Sequence, residues 1–152
     1  MHTRILESAA VLAIGSDDQT HSPIFQKLGS QVKQALILTL PYPPTGNHIW
    51  KHTKMGRHYL TQQARSYYQL VAEVVRKSGQ SGLLTGKLHV ECDIYPPDNR
   101  RRDIDNCFKV IGDACTKAGV WKDDTQINRL VLERMEMVKH GLIAIRVATI
   151  ND

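Results

Sequence analysis

The chain has 152 residues, and its Lys plus Arg outnumber its Asp plus Glu by 20 to 15, for a formal charge of +5. That length suits one domain whose core needs neither disulfides nor a structural metal. No run approaches the ~18 consecutive apolar residues of a spanning helix, which argues against an integral helical membrane protein. The basic balance hints at a polyanionic partner without establishing one.

The N-terminal stretch Met1–Gly15 imitates a signal peptide, but Glu7 interrupts its apolar run and no cleavage site follows. Residues 1–34 carry Arg4, Lys27 and Lys33 against Glu7, Asp17 and Asp18, and are neutral overall. They are expected to form an N-terminal extension, partly disordered, with a short helix near residues 3–14. Residues 35–152 are expected to form the folded domain and hold all of the excess charge.

Within it, Ala35–Leu40 reads as an apolar strand stopped by Pro41. Pro41-Tyr-Pro-Pro-Thr-Gly-Asn47 is a rigid, turn-rich stretch, because proline fixes φ and removes donors. Residues 48–60 read as a polar, basic loop. Thr61 is the expected N-cap of a helix running to about Ser78, with Ala64, Tyr67, Tyr68, Leu70, Val71, Val74 and Val75 on its apolar side. Residues 80–86 read as a turn. Lys87–Tyr95 alternates: Leu88, Val90, Cys92 and Ile94 face one way and His89, Glu91, Asp93 and Tyr95 the other. That pattern predicts a half-buried strand. A second helix is expected from about Asp105 to Ala118, capped by Gly119. Two strands, about 127–138 and 142–150, close the chain around Lys139-His140-Gly141. The order β-α-β-α-β-β predicts an α+β fold of two layers, with two helices on a mixed four-stranded sheet. Cys92, Cys107 and Cys115 are odd in number, lack zinc-site spacing and fall on apolar faces. They read as buried free thiols suited to a reducing, cytoplasmic compartment.

Charge along the chain is more informative than its total. Residues 43–102 carry Lys51, Lys54, Arg57, Arg65, Arg76, Lys77, Lys87, Arg100, Arg101 and Arg102 against Glu73, Glu91, Asp93 and Asp98. Residues 103–124 then carry Asp103, Asp105, Asp113, Asp123 and Asp124 against Lys109, Lys117 and Lys122. A basic segment followed by an acidic island is what a metal-dependent nuclease requires. Cations hold the polyanion and release its counterions. Clustered carboxylates suit Mg²⁺, which prefers oxygen ligands. Asp103 and Asp105 are two residues apart, which points both carboxylates to one side of an extended segment. The same residues also fit a helix cap and an i,i+4 pair between Asp105 and Lys109, and spacing alone leaves both readings open. Asp123-Asp124 fits a turn that satisfies backbone donors. Arg100–Arg102 fits either a solvated charge run or a phosphate clamp. His48, His52 and His58 suit surface or phosphate-contacting roles. Tyr42, Trp50 and Tyr59 could stack on bases, with core packing the expected role.

Together these residues resemble a known family. Arg101-Arg-Asp-Ile-Asp-Asn-Cys-Phe-Lys109, then Asp113, then Lys117-Ala-Gly-Val-Trp-Lys-Asp-Asp124 look like the motifs of the RusA family of Holliday-junction resolvases. Leu40-Pro-Tyr-Pro-Pro-Thr-Gly-Asn47 looks like that family's N-terminal signature, with Thr45 where serine is common. The resemblance spans about residues 36–150. It implies a homodimeric endodeoxyribonuclease that depends on Mg²⁺, with Mn²⁺ as a substitute. Such an enzyme resolves four-way DNA junctions by paired symmetric nicks in recombination and repair; members are often prophage-encoded. It carries over Asp103, Asp105 and Asp124 as metal-binding catalytic carboxylates and Lys109 as the catalytic lysine. Arg100, Arg101, Arg102, Lys51, Lys54 and Arg57 are the expected DNA grip. The competing readings are a non-catalytic branched-DNA-binding protein, a less selective Mg²⁺-dependent nuclease, and a Mg²⁺ phosphotransferase acting on nucleotides.

Overall fold

The computed structural model describes residues 32–79 and 83–150. The expected helix near residues 3–14 and much of the turn after the first helix lie outside them. Six strands and two α-helices follow in the order β1 (Val32–Pro41), β2 (Trp50–His52), β3 (His58–Leu60), α1 (Gln62–Lys77), β4 (Lys87–Tyr95), α2 (Ile104–Ala118), β5 (Ile127–Arg134) and β6 (Leu142–Ile150). Short 3-10 turns occupy Gly46–His48 and Asp124–Gln126. The main sheet runs β1-β6-β4-β5, and β2 pairs with β3 in a separate two-stranded sheet. The β4–β5 pair is parallel and the other pairs are antiparallel, so α2 is the crossover between two parallel neighbours. This is the expected α+β architecture of two helices on a mixed four-stranded sheet.

Both helices pack on one sheet face because each carries an apolar stripe at helical spacing. Ala64, Tyr67, Tyr68, Val71 and Val75 of α1 are buried, as are Cys107, Phe108, Val110, Ile111, Ala114 and Cys115 of α2. They meet Leu38 and Leu40 of β1, Leu88, Val90, Cys92 and Ile94 of β4, and Ile143, Ile145 and Val147 of β6 in one core. All three cysteines are free and buried.

Four expectations are corrected. Residues 48–60 are not simply a loop: they hold the β2–β3 hairpin, in register Trp50↔Leu60, Lys51↔Tyr59 and His52↔His58. Strand β4 is not half-buried. It lies inside the sheet, and His89 and Glu91 on its polar face are as buried as its apolar residues. Arg146 on β6 compensates the charge, donating from Nε to Glu91 at 3.1 Å and from Nη2 to both Asp93 oxygens at 3.0 and 2.9 Å. Strand β5 ends at Arg134, not near residue 138. Its parallel partner reaches Pro96, which has no N–H to extend the ladder. The chain instead bends away through Met135 N–H to Ile94 O and Val138 N–H to Pro96 O. Finally, Trp50 and Tyr59 do not pack in the core: they are 47% and 46% exposed.

Candidate active site

Helix α2 organises the site. Asp103 takes the N-cap position with extended backbone, and Asp105 lies in the first turn. An aspartate at an N-cap normally accepts a backbone N–H through its side chain. Asp103 does not, so its carboxylate stands at the positive end of the helix without being spent on it. Gly119 ends the helix in the left-handed region at φ 80°, where a side chain would be strained. The chain then turns back through Trp121. Its buried ring is held by Nε1–H donating to Thr116 Oγ1 at 2.8 Å.

That return delivers Asp123 and Asp124, which divide two roles. Asp123 caps the following 3-10 turn, accepting Thr125 N–H at 2.8 Å, and this bond holds its carboxyl below the usual range. Asp124 is exposed and lines a groove of about 400 Å³ with Lys109 and Asp113 of α2. The turn reading therefore holds for Asp123, while Asp124 faces the groove. Gln126 locks this corner. Its Oε1 accepts Lys122 N–H at 2.8 Å and Asp123 N–H at 3.2 Å. Its Nε2–H₂ donates to Leu84 O at 3.0 Å and Gly86 O at 3.1 Å, tying the Asp124 turn to the segment before β4.

The groove continues toward the start of α2. Gly46, Asn47 and Asn106 line it and also line an adjoining groove of about 150 Å³ that includes Asp103, Arg101 and Arg102. Asp103 thus lines one groove and Asp124 and Lys109 the other, and the two grooves share Gly46, Asn47 and Asn106. Asp105 is exposed on the first turn and lines neither groove. No ion pair joins it to Lys109 among those of the described residues, although their spacing would allow one.

The basic residues differ in availability. Lys51, Lys54 and Arg57 are exposed on the β2–β3 hairpin, and Arg100 and Arg101 are exposed before α2. Arg102 is engaged. It donates to both oxygens of Asp98 at 2.6 and 2.9 Å, lies 5.7 Å over the Tyr42 ring, and its carbonyl accepts from Arg134. The Arg102 guanidinium and the Arg100 N–H hold the Asp98 carboxyl down at about 2. On the other side of this segment, burial and then the neighbouring Cys107 push the Tyr42 phenol up to about 12. These contacts fix the loop that presents Asp103.

Among the described residues, no three His, Cys, Asp or Glu side chains form a ready metal cluster. The donor set nevertheless fits Mg²⁺. That ion is usually held by one or two carboxylates, several waters and substrate phosphate oxygens rather than an all-protein cage. The uncapped Asp103 and the groove-facing Asp124 supply hard oxygen donors of this kind. Two contributors were not singled out in the sequence. Asn106 lies one helical turn after Asp103, a signal at i+3. Gln126 has the spacing of a capping box after Asp123. Trp50, expected in the core with base stacking as its other reading, lines the groove instead.

The sequence profile of a family described as Endodeoxyribonuclease RusA matches residues 41–148. The crossover junction endodeoxyribonuclease of Enterobacteria phage 82 is 34% identical over 117 residues, covering 76% of this chain and 95% of that protein. Its counterpart in Escherichia coli K12 is 33% identical with the same coverage. The Shigella sonnei protein of that name is 32% identical.

Proposed function

This chain belongs to the RusA family of endodeoxyribonucleases, and we propose that it resolves four-way DNA junctions with Asp103, Asp105, Asp124 and Lys109 as its catalytic set. One observation supports the assignment of residues: the groove lined by the uncapped Asp103 and the groove lined by Asp124 and Lys109 adjoin, sharing Gly46, Asn47 and Asn106. A divalent cation is the implied cofactor, and Mg²⁺ is the ion we propose, with Mn²⁺ able to substitute. Asp103 and Asp124 would hold it, with Asp105 contributing from the adjacent turn. When bound, such an ion lowers the pKa of water and neutralises charge on the phosphoryl oxygens. Lys109, one helical turn beyond Asp105, lines the groove, where its ammonium would stabilise the phosphate or leaving oxygen as charge develops. Arg100, Arg101, Lys51, Lys54 and Arg57 present exposed cations to the DNA backbone, while Arg102, paired with Asp98, holds the loop. A homodimer suits paired cuts, since a two-fold protein matches a substrate with two equivalent scissile strands. The nuclease domain is taken to begin with β1 at Val32, which pairs with β6 ahead of the family match at residue 41.

The test is incubation of a labelled synthetic four-way junction with Mg²⁺ or with EDTA, using linear duplex as control. Paired nicks in the junction, abolished by EDTA and by Asp105→Asn, are expected. Binding without cleavage under every Mg²⁺ or Mn²⁺ condition would make this a binding protein. Equal cutting of linear duplex would remove junction selectivity. Retained cutting by Asp105→Asn would remove Asp105 from the set.

A further inference from the structure

The groove that holds Asp124 and Lys109 also contains groups that metal and phosphate chemistry leave unused. Trp50 lines it, with its indole 47% exposed, whereas Trp121 is fully buried. Tyr68 forms part of the same lining; its side chain is 8% exposed and its hydroxyl has no hydrogen-bond partner. A buried hydroxyl without a partner loses its hydration and gains nothing in return, so a ligand atom that displaces the side chains enclosing it would supply the missing bond. Asn47 and Asn106 line the groove as well, and the side-chain amide of each offers both donors and an acceptor.

The hairpin holds Trp50 firmly. Thr61 N–H donates to Ile49 O at 2.9 Å, and the Thr61 hydroxyl donates to His48 O at 2.8 Å. Thr61 also caps α1 by accepting Ala64 N–H at 3.2 Å, so the base of the hairpin is pinned to a core helix. Trp50 pairs with Leu60, and alternation places Lys51 and Tyr59 on the opposite hairpin face. The indole is thus turned toward the groove, while Lys51 is left for the backbone of the polymer.

We propose that this groove is a nucleobase pocket, in which a base unstacked near the scissile phosphate stacks on Trp50 and meets the Tyr68 hydroxyl. The proposal rests on the nuclease reading, because Asp124 and Lys109 in the same groove define where the phosphate lies. An aromatic platform, polar amides and an unpartnered hydroxyl are the elements that recognise a base outside a duplex. A groove of about 400 Å³ has room for one base. Bases at a four-way crossover are easier to unstack than bases within continuous duplex. The pocket therefore favours junctions over linear DNA through the cost of freeing the base.

The test exploits the two tryptophans of the chain. Junction or linear duplex is titrated into the full-length protein in EDTA, and tryptophan emission is read beside affinity. Junction is expected to quench emission more than duplex, and the quench is expected to vanish in Trp50→Phe, which leaves only the buried Trp121. Trp50→Ala should weaken junction binding about 5- to 100-fold relative to duplex, as loss of one base stack does. Trp50→Phe keeps a ring and should lose less. Tyr68→Phe should lower the preference for junction a few-fold. Thermal unfolding of each variant reports whether the fold is intact. Tight junction binding without quenching, or Trp50→Ala binding junction like the wild type, would overturn the pocket. Wild-type protein that cuts junctions without quenching would remove the pocket and keep the nuclease. Quenching without cutting under any metal condition would do the reverse.

Discussion

Gln126 makes no contact with the proposed catalytic groups, yet it holds the corner that presents Asp124. Gln126→Ala removes four hydrogen bonds at once. The Lys122 and Asp123 N–H groups and the Gly86 carbonyl are exposed and regain water, so their loss costs little. The Leu84 carbonyl is partly buried, and leaving it without a partner costs about 1–3 kcal/mol. A total near ~2 kcal/mol corresponds to a Tm lower by roughly 4–8 °C for a domain of this size. The second readout is specific to position. If the side chain places Asp124, the Mg²⁺ concentration for half-maximal junction cleavage should rise about 10- to 100-fold, the range seen when groups behind metal ligands are removed. Excess metal should recover part of the rate. Mn²⁺ affinity measured directly in the presence of uncleaved junction should fall in parallel. A variant with the lower Tm but an unchanged metal requirement would show that Gln126 only stabilises the fold and has no part in placing Asp124.

Three further outcomes follow from the packing. The bidentate Arg102–Asp98 contact depresses the Asp98 carboxyl, so its stabilisation is present above the ordinary carboxylate range and is lost as pH falls from about 4 toward 2. Asp98→Asn should therefore lower the denaturation midpoint at pH 7, with the difference from wild type closing by about pH 2 in parallel urea titrations. Arg146→Met takes the arginine from the partly buried Asp93 and from the buried Glu91, which keeps its His89 contact at 3.2 Å. Urea denaturation at pH 7 should show a loss of up to about 3 kcal/mol, below that of a buried pair whose remaining charge has no other partner. Burial raises all three thiols, Cys107 to about 11 and Cys115 to about 12, so an aromatic disulfide reagent at pH 8 should label none of them until the protein is unfolded.

The parts legible in the sequence were those governed by local rules. Helical spacing located α1 and α2, Thr61 and Gly119 marked their ends, and strict alternation located β4. What alternation could not supply was the position of β4 within the sheet. A central strand has neighbours on both edges, and an arginine 55 residues away in sequence from Glu91 supplies the countercharge that lets the polar face be buried. The hairpin at residues 50–60 was hidden for the opposite reason. Strands of three residues leave too short a pattern to read, and its turn depends on Gly56 at φ 75°. In the site, the motif residues were visible as types, but their division of labour was not. Asp123 and Asp124 are adjacent and identical, and only the capping geometry separates the one that accepts Thr125 N–H from the one that lines the groove. Arg100, Arg101 and Arg102 are alike in the same way until Asp98 takes the third in a bidentate pair, touching the exposed Arg100 only at 4.0 Å through its guanidinium.

The central claim is that Asp103 and Asp124, 21 positions apart in the chain and lining two grooves that share Gly46, Asn47 and Asn106, act on the same phosphate. Single-turnover junction cleavage in saturating Mg²⁺ by Asp103→Asn, Asp124→Asn and the double variant tests it most directly. Each single change should reduce the rate by several orders of magnitude, and the double variant should be little worse than either, because residues that act as one unit are strongly non-additive. Junction binding in EDTA should persist in all three. Independent, multiplicative losses, or near wild-type cutting by either single variant, would contradict the account.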